Sequence, residues 1–281
     1  MKKIFTLIAV AAMALSVNAQ EKLIFSATET YADNQELTTA STTLKLGNDQ
    51  NPGTFKIGQS ALDAEVNAYL ADFFQTITTD DGEKNGVVTI NGGNNPKDKT
   101  GKNSGSGFNA AEGKTTGNLP QSGTYFVLNT TAAGKVQMGI VLNAGKAFYL
   151  IDATNAAPDE TGDYLQVALP ESNLKNYALM NGAGEVVEAT PASDDKGGME
   201  VADKLMGTLE FNVEANHTYY VFCTGSKLGC FGYIFTAGAS DGIETVKATA
   251  QDAVRYNLAG QKVSDSFKGI AIQNGKKIVI K

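Results

Sequence analysis

Short apolar runs, each closed by Gly, Asn or Asp, follow one another through most of this 281-residue chain. There are about ten such runs, and they are rich in aromatic and β-branched residues, a combination typical of antiparallel strands separated by turns. A βαβ fold would need helices at regular intervals between the strands, and that pattern is missing. We therefore predict a mainly β protein, a jelly-roll-like antiparallel β-sandwich of two packed sheets.

One segment departs from this pattern and predicts a single short helix. From Ser60 onward, apolar residues recur at the 3.6-residue spacing of one helical face, and Ser60 followed by Asp63 resembles a helix cap. The residues of this face are Leu62, Val66, Tyr69, Leu70, Phe73, Phe74 and Ile77. We expect the helix to pack against one sheet or against one end of the sandwich.

The N-terminus has the three parts of an export signal. Lys2 and Lys3 form the basic start, residues 4–15 form the apolar stretch, and a small-residue cleavage site ends at Ala19. We expect cleavage after Ala19 and a mature chain that starts at Gln20. The signal therefore predicts a secreted or cell-surface protein.

The charge of the chain changes sign near its C-terminal end. Residues 20–239 carry a net charge of -12, whereas residues 240–281 carry +3. The small residues of Thr236–Gly242 form a linker-like segment at this change. We therefore predict a signal peptide over residues 1–19, a β-sandwich domain over 20–239, and a small β tail over 240–281.

Composition excludes two kinds of partner. The chain has a net charge of -7 and a single arginine, Arg255, so we expect no nucleic acid to bind it. One histidine and two cysteines are too few for a zinc site of the usual Cys/His type.

Two turns have the same design, and they account for the histidine. Gly145 and Asn216 occupy matching places between apolar runs, and both residue types accept a positive φ in a tight turn. His217 then stands where Lys146 stands, on an exposed turn, with no Cys, Ser or Asp motif beside it. We expect two similar hairpins here and no catalytic role for His217.

The run EANHTYYVFCTGSKLGCFGYIF is similar to the closing hairpin of jelly-roll modules in secreted Gram-negative bacterial proteins. Such modules are often attached to polysaccharide-degrading enzymes. The matching features are the strand Ala215–Phe222, the turn Thr224–Lys227 and the return Phe231–Tyr233, and residues 119–152 resemble an earlier part of the same module. The resemblance implies a carbohydrate-associated sandwich and transfers no catalytic residue to this chain.

Cys223 and Cys230 flank the six-residue turn TGSKLG of that run. In an exported protein the two residues could form a disulfide across facing strands of a hairpin. The alternative is a pair of half-buried free thiols, because cysteine packs well in β cores. The sequence leaves both alternatives open.

The longest polar stretch, Asn91–Asn118, is the candidate ligand-binding segment. It contains seven Gly and six Asn in 28 residues, and an internal loop of this length is either functional or mobile. Amide side chains can hydrogen-bond sugar hydroxyls, and an aromatic ring can stack on a pyranose face. The candidate ligand-binding residues are Asn94, Asn95, Asn103, Phe108 and Asn109.

Two acidic loops offer oxygen ligands for calcium, one at Asp80–Glu83 and one between Asp152 and Asp163. Neither follows the EF-hand spacing. Solvated acidic loops are the simpler interpretation, with calcium kept as the alternative. No other metal or cofactor is indicated.

The C-terminal segment contains two hairpin signals. One turns at Ala259-Gly260 and the other at Asn274-Gly275, and Asn-Gly is a strong signal for a two-residue turn. Ile270, Ile272, Ile278 and Ile280 alternate with polar residues, which predicts one shared apolar face.

This segment resembles the C-terminal sorting domain of type IX secretion substrates. The resemblance rests on YNLxGQKV at 256–263, KGxxI at 268–272 and the closing GKKxVxK at 275–281. It implies recognition by the outer-membrane secretion machinery, followed by release or attachment at the cell surface. The alternative is a short stabilising β unit with no sorting role.

These observations favour a secreted, non-catalytic β-sandwich module that binds a glycan or a cell-surface partner. No spacing in the chain points to a catalytic constellation. The first alternative is a structural or adhesive surface protein. The second, less favoured, is a glycan-active enzyme that uses two carboxylates from distant strands.

Overall fold

The computed structural model shows a mainly β chain that divides into two compact units, residues 1–240 and 241–281. The predicted signal peptide lies outside the described residues. The described residues are 20–48, 54–56, 68–80, 82–104, 108–109, 114–115, 119–154, 177–192, 198–238, 255–257, 262–263, 269–273 and 276–280.

Among its described residues, the first unit contains eighteen strands and one short 3-10 helix, Ala68–Phe73. The strands are β1 (Gln20–Ile24), β2 (Glu36–Thr38), β3 (Thr42–Leu46), β4 (Thr54–Lys56), β5 (Gln75–Thr79), β6 (Gly82–Thr89), β7 (Phe108–Asn109), β8 (Lys114–Thr115), β9 (Tyr125–Thr130), β10 (Gly134–Leu142), β11 (Phe148–Asp152), β12 (Tyr177–Asn181), β13 (Val186–Val187), β14 (Thr190–Pro191), β15 (Met199–Glu200), β16 (Leu205–Val213), β17 (Thr218–Cys223) and β18 (Gly229–Ala237).

Two antiparallel sheets form the body of this unit. Sheet A has the strand order β1-β18-β10-β16-β12-β13, and sheet B has the order β14-β15-β11-β17-β9-β3-β2. One large cluster of buried side chains lies between them, to which strands of both sheets contribute alternate residues, such as Phe126 and Leu128 on β9 and Val136 and Met138 on β10. Alternation of this kind places one face of each strand in the core of a sandwich. The predicted antiparallel β-sandwich is confirmed.

The chain alternates between the sheets, and late strands insert between early ones. Strands β9, β10 and β11 lie in sheets B, A and B. Strand β17 then pairs with both β9 and β11, while β18 pairs with both β1 and β10. This insertion of a returning pair of strands between earlier strands is the order found in jelly rolls.

Three of the short connections that cross from one sheet to the other, and are therefore β-arches, lie where the sequence predicts hairpins. They join β10 to β11, β16 to β17, and β17 to β18. The sequence predicts hairpins at these places, and that pairing is wrong, because the two strands beside each turn lie in different sheets. The predicted turn conformation is confirmed, since φ is 59° at Gly145 and 63° at Asn216.

The outer face of sheet B carries a second buried apolar cluster. Tyr149 stacks on Phe222 with ring centroids 4.9 Å apart, and Tyr125 stacks on Tyr220 at 6.2 Å. These residues alternate along β9, β11 and β17 with residues of the inter-sheet core. Sheet B is therefore apolar on both faces, like a sheet in the middle of three layers.

The helix lies on the outer face of sheet A. Leu70 and Phe73 pack there, and the Phe73 ring meets Phe231 edge to face with centroids 5.1 Å apart. The predicted position against one sheet is confirmed, but the predicted length is wrong at its C-terminal end. The chain enters β5 at Gln75, and Ile77 is buried there in the inter-sheet core. Residues 60–67 of the predicted helix lie outside the described residues.

A buried hydrogen bond joins the two sheets. The hydroxyls of Tyr233 on β18 and Thr42 on β3 lie 2.6 Å apart, and both side chains are buried. Burial raises the pKa of Tyr233, so the phenol remains protonated and able to donate.

The second unit is a four-stranded antiparallel sheet of β19 (Arg255–Asn257), β20 (Lys262–Val263), β21 (Gly269–Gln273) and β22 (Lys276–Ile280), in the order β20-β19-β21-β22. Both predicted hairpins, β19 with β20 and β21 with β22, are confirmed. The register pairs Ile270 with Val279 and Ile272 with Lys277. Because directly paired residues share a face, the predicted single face of four isoleucines is wrong.

Candidate binding site

A polar cleft of about 340 Å³ lies at one end of the sandwich, where the β10–β11 and β17–β18 arches meet the chain that leaves β6. Three amide side chains, of Asn91, Asn95 and Asn143, line it together with the hydroxyl residues Thr89 and Ser226. The cleft has the size of a small-ligand site, and its lining is mainly polar.

A hydrogen bond between two arches fixes the distance between them in the wall of the cleft. The side-chain amide of Asn143, in the β10–β11 arch, donates to the hydroxyl oxygen of Ser226, in the β17–β18 arch, at 2.8 Å. Gly225 precedes Ser226 with φ at 65°, a conformation that favours glycine. At Gly229 a Cβ would lie 2.8 Å from the methyl group of Thr89, so glycine lets β18 approach Thr89 closely.

The first half of the polar segment, residues 91–104, is a hydrogen-bonded loop beside this cleft. Its centre is the buried carboxylate of Asp98, which accepts from the Thr100 amide at 2.8 Å, the Thr100 hydroxyl at 2.7 Å and the Lys102 amide at 3.0 Å. Side-chain bonds of this type fix a loop without regular secondary structure. The described half of the segment is therefore held in one conformation by its own side chains.

Backbone contacts attach this loop to the sandwich. Thr124 donates its amide to the Asn94 carbonyl at 3.0 Å, and the hydroxyl of Thr224 donates to the Ser104 carbonyl. Gly123 has φ at 85°, and a Cβ there would overlap the Asn95 carbonyl oxygen. These contacts fix Asn95 where it lines the cleft.

Thr89 at the end of β6 is the unusual residue of the lining. It is 1% exposed, and its hydroxyl has no hydrogen-bond partner among the described residues. The position is rigid, because the next residue, Ile90, forms two backbone hydrogen bonds with Cys230 of β18, at 2.8 and 2.9 Å. A buried hydroxyl without a partner costs free energy in the folded protein.

Lys204 and Lys227 place two positive charges in the lining. Lys204 immediately precedes β16, and Lys227 lies in the β17–β18 arch. Both side chains are exposed, and neither forms an ion pair with a described residue. Within the described part of the lining no residue carries a carboxyl, imidazole or thiol group. The lining thus supplies hydrogen bonds and positive charge.

The structure brings one of the predicted ligand-binding residues, Asn95, into the cleft. The side chain of Asn94 is exposed, and the side-chain oxygen of Asn103 accepts from Lys97 Nζ at 2.6 Å. Phe108 and Asn109 form β7, paired with β8, and their side chains lie outside the described residues. A ligand-binding role for these five residues stays a prediction.

The remaining lining residues were not predicted. Asn143 and Ser226 have turn-forming side chains, which the sequence explains by the turns alone, and Thr89 ends an ordinary strand. No local spacing connects these three residues, because the fold of the whole sandwich brings them together.

Cys223 and Cys230 are free and buried. They lie in different sheets, on β17 and β18, so the facing-strand geometry on which the predicted disulfide depends is not present. Burial raises the pKa of each thiol to about 12. Both residues therefore remain protonated near neutral pH, which disfavours a nucleophilic role.

His217 is half-buried rather than exposed as predicted. Its Nδ1 lies 2.6 Å from the Asp152 carboxylate at the end of β11, and its ring stacks on Tyr219 with centroids 6.0 Å apart. This pair fixes the β16–β17 arch at the end of the sandwich opposite the cleft. The Asp152 carboxylate accepts hydrogen bonds from His217 and from Thr154, so both of its oxygens already have a partner.

Among the described residues there is no group of three His, Cys, Asp or Glu that could hold a metal ion.

No protein-family model, curated protein or solved structure matches the chain. Within the described parts of the chain, no helix has the length and hydropathy needed to cross a lipid bilayer.

Proposed function

We propose that this protein is a secreted, non-catalytic β-sandwich module that binds a glycan in the cleft beside Asn143. The observation that carries the proposal is the polar lining, to which Asn91, Asn95, Asn143 and Ser226 contribute amide and hydroxyl groups. Sugars carry hydroxyls at close intervals, so they match a wall of mixed donors and acceptors. The export signal and the carbohydrate-associated resemblance support the same function.

Rigid positioning of the lining supports binding of a defined ligand. The Asn143–Ser226 hydrogen bond and the Asp98-centred loop fix the two sides of the cleft. A preorganised wall lowers the entropy cost of binding. Among the described lining residues none is aromatic, so recognition depends on hydrogen bonds rather than on ring stacking.

Retention on immobilised polysaccharides or a glycan array tests this function, with Asn95→Ala as the diagnostic variant. We expect the intact protein to be retained, and Asn95→Ala to lower affinity by about threefold to tenfold, because one hydrogen bond to the ligand is lost.

Thr89→Val and Ser104→Ala are the controls. Both remove a hydroxyl that is buried without a partner among the described residues. Affinity should therefore stay unchanged, and Thr89→Val should gain up to about 1 kcal/mol in stability. Lack of retention by any polysaccharide would contradict the proposed function.

We also propose that the second unit directs export across the outer membrane and release or attachment at the cell surface. The ordered motifs between Tyr256 and Lys281 support this role. Deleting residues 242–281 should remove the protein from the surface and medium fractions and leave it in the periplasm. The periplasmic variant should still bind the glycan, which controls for misfolding. An undiminished surface fraction would refute a sorting role.

A further inference from the structure

We infer that the glycan bound in the cleft carries an anionic group, a carboxylate or a sulfate, and that Lys204 and Lys227 hold this group. The inference rests on the proposed function and specifies the class of its ligand. It depends on the charge of the lining, on the pairing of other lysines, and on the balance of donors and acceptors.

The charge of the lining is opposite in sign to the net charge of the domain around it. Residues 20–239 carry a net charge of -12, yet the charged groups among the described lining residues are the ammonium groups of Lys204 and Lys227. Two like charges that enter one cleft from separate elements repel each other. An anion between them removes that repulsion and gains two attractive interactions.

Two lysines on the outer face of sheet A are paired with carboxylates, unlike the two lysines of the cleft. Lys22 on β1 forms an ion pair with Asp72 at 2.7 Å, and Lys135 on β10 forms one with Glu210. Lys204 and Lys227 form no ion pair with a described residue. Acidic side chains thus accompany the lysines on the outer face of sheet A but not those in the cleft.

A hydroxyl of the lining is also left as a donor. Ser226 accepts from Asn143, so its own proton is available to a further acceptor. This proton and the two ammonium groups have no acceptor among the described residues. The oxygens of a carboxylate or sulfate are acceptors only, which suits these donors.

The test uses the full mature chain and two matched pairs of probes. Dextran sulfate is compared with dextran, and polygalacturonate with neutral galactan, because each pair differs mainly in its anionic group. We expect retention on at least one anionic member, weakened by raising the salt concentration. The double variant Lys204→Gln/Lys227→Gln should lower that affinity at least tenfold. Lys45→Gln, on β3 and outside the lining, should leave it unchanged.

Each remaining outcome decides against the inference. Retention on a neutral glycan with unchanged affinity in the double variant would overturn the anionic ligand and leave the proposed function intact. An equal loss in Lys45→Gln would show that net charge, not the cleft, controls binding. Absence of binding to these probes and to a wider glycan array would overturn the proposed function together with the inference.

Discussion

Replacing Gly232 with alanine is expected to destabilise the first unit by at least ~3 kcal/mol. Gly232 has φ at 116°, a conformation that side-chain-bearing residues rarely adopt. A Cβ at this position would overlap the carbonyl oxygen of Leu23 on the neighbouring strand β1. The variant therefore combines backbone strain with loss of the β1–β18 pairing around Ile24.

The conformation of Gly232 belongs to a β-bulge in β18. Pairing between β10 and β18 shifts there, since Gly139 faces Gly232 and Ile140 faces Cys230, which leaves Phe231 without a paired residue. Cys230 and Tyr233 consequently both point into the inter-sheet core, although they are three residues apart. The extra residue at a bulge changes which face later residues occupy. Alanine at 232 would disturb this change of face as well as the local backbone.

Gly145→Ala is the matched control, and urea unfolding measures the loss of stability in both variants. Its φ is 59°, also in the left-handed region, but a Cβ there would meet no atom within 4 Å. The backbone preference alone then costs about 1 kcal/mol. If Gly232→Ala were no more costly than Gly145→Ala, the bulge would not have the structural role assigned to it.

The bulge illustrates which parts of the fold can be predicted from the sequence. Turn conformation depends on one or two residues, so the turns at Gly145 and Asn216 are predicted correctly. The pairing of β21 with β22 is predicted correctly as well. Whether a strand then pairs with its predecessor or crosses to the other sheet depends on distant partners. The same turn chemistry serves both cases, which is why three arches were predicted as hairpins.

Residue periodicity was also ambiguous at the end of the predicted helix. Ile77 continues the helical spacing of Phe73, but it equally suits the buried face of a short strand, which is where the structure places it. The contacts that decide between the two come from the inter-sheet core, beyond any local window.

The candidate site was predictable only in part for a similar reason. Asn95 belongs to a polar segment whose composition marks it as unusual. Thr89, Lys204 and Lys227 stand far apart in the chain, and they meet because three separate elements end at the same end of the sandwich. Their shared property, donor groups without a partner among the described residues, exists only in the folded structure.

Sheet B shows a further difference between the expected and the observed sandwich. A sheet with one solvated face should alternate apolar and polar residues. The run Tyr125–Leu128 of β9 is apolar without interruption, as is the run Phe148–Ile151 of β11, and these residues are buried on both faces. Continuous apolar runs of this kind therefore predict a strand that is buried on both faces, and hence a sheet whose outer face is covered.

Phe222→Ala is expected to cost about 3–5 kcal/mol in the free energy of unfolding, as much as a substitution in the inter-sheet core. Phe222 lies on the outer face of sheet B, is 0% exposed, and stacks on Tyr149 with ring planes inclined by 15°. Removing the ring leaves a cavity and takes away the stacking partner of Tyr149. Phe126→Ala on the inner face is the reference for equal cost, measured by urea unfolding.

Val186→Ala provides the exposed control for this comparison. Val186 is 73% exposed, and its truncation should change stability by no more than about 0.5 kcal/mol. If the outer face of sheet B were solvated, Phe222→Ala would lower the free energy of unfolding by about as little as Val186→Ala does. A loss of stability close to that of Phe126→Ala instead requires that the aromatic cluster on the outer face of sheet B is a second core, packed as closely as the inter-sheet core.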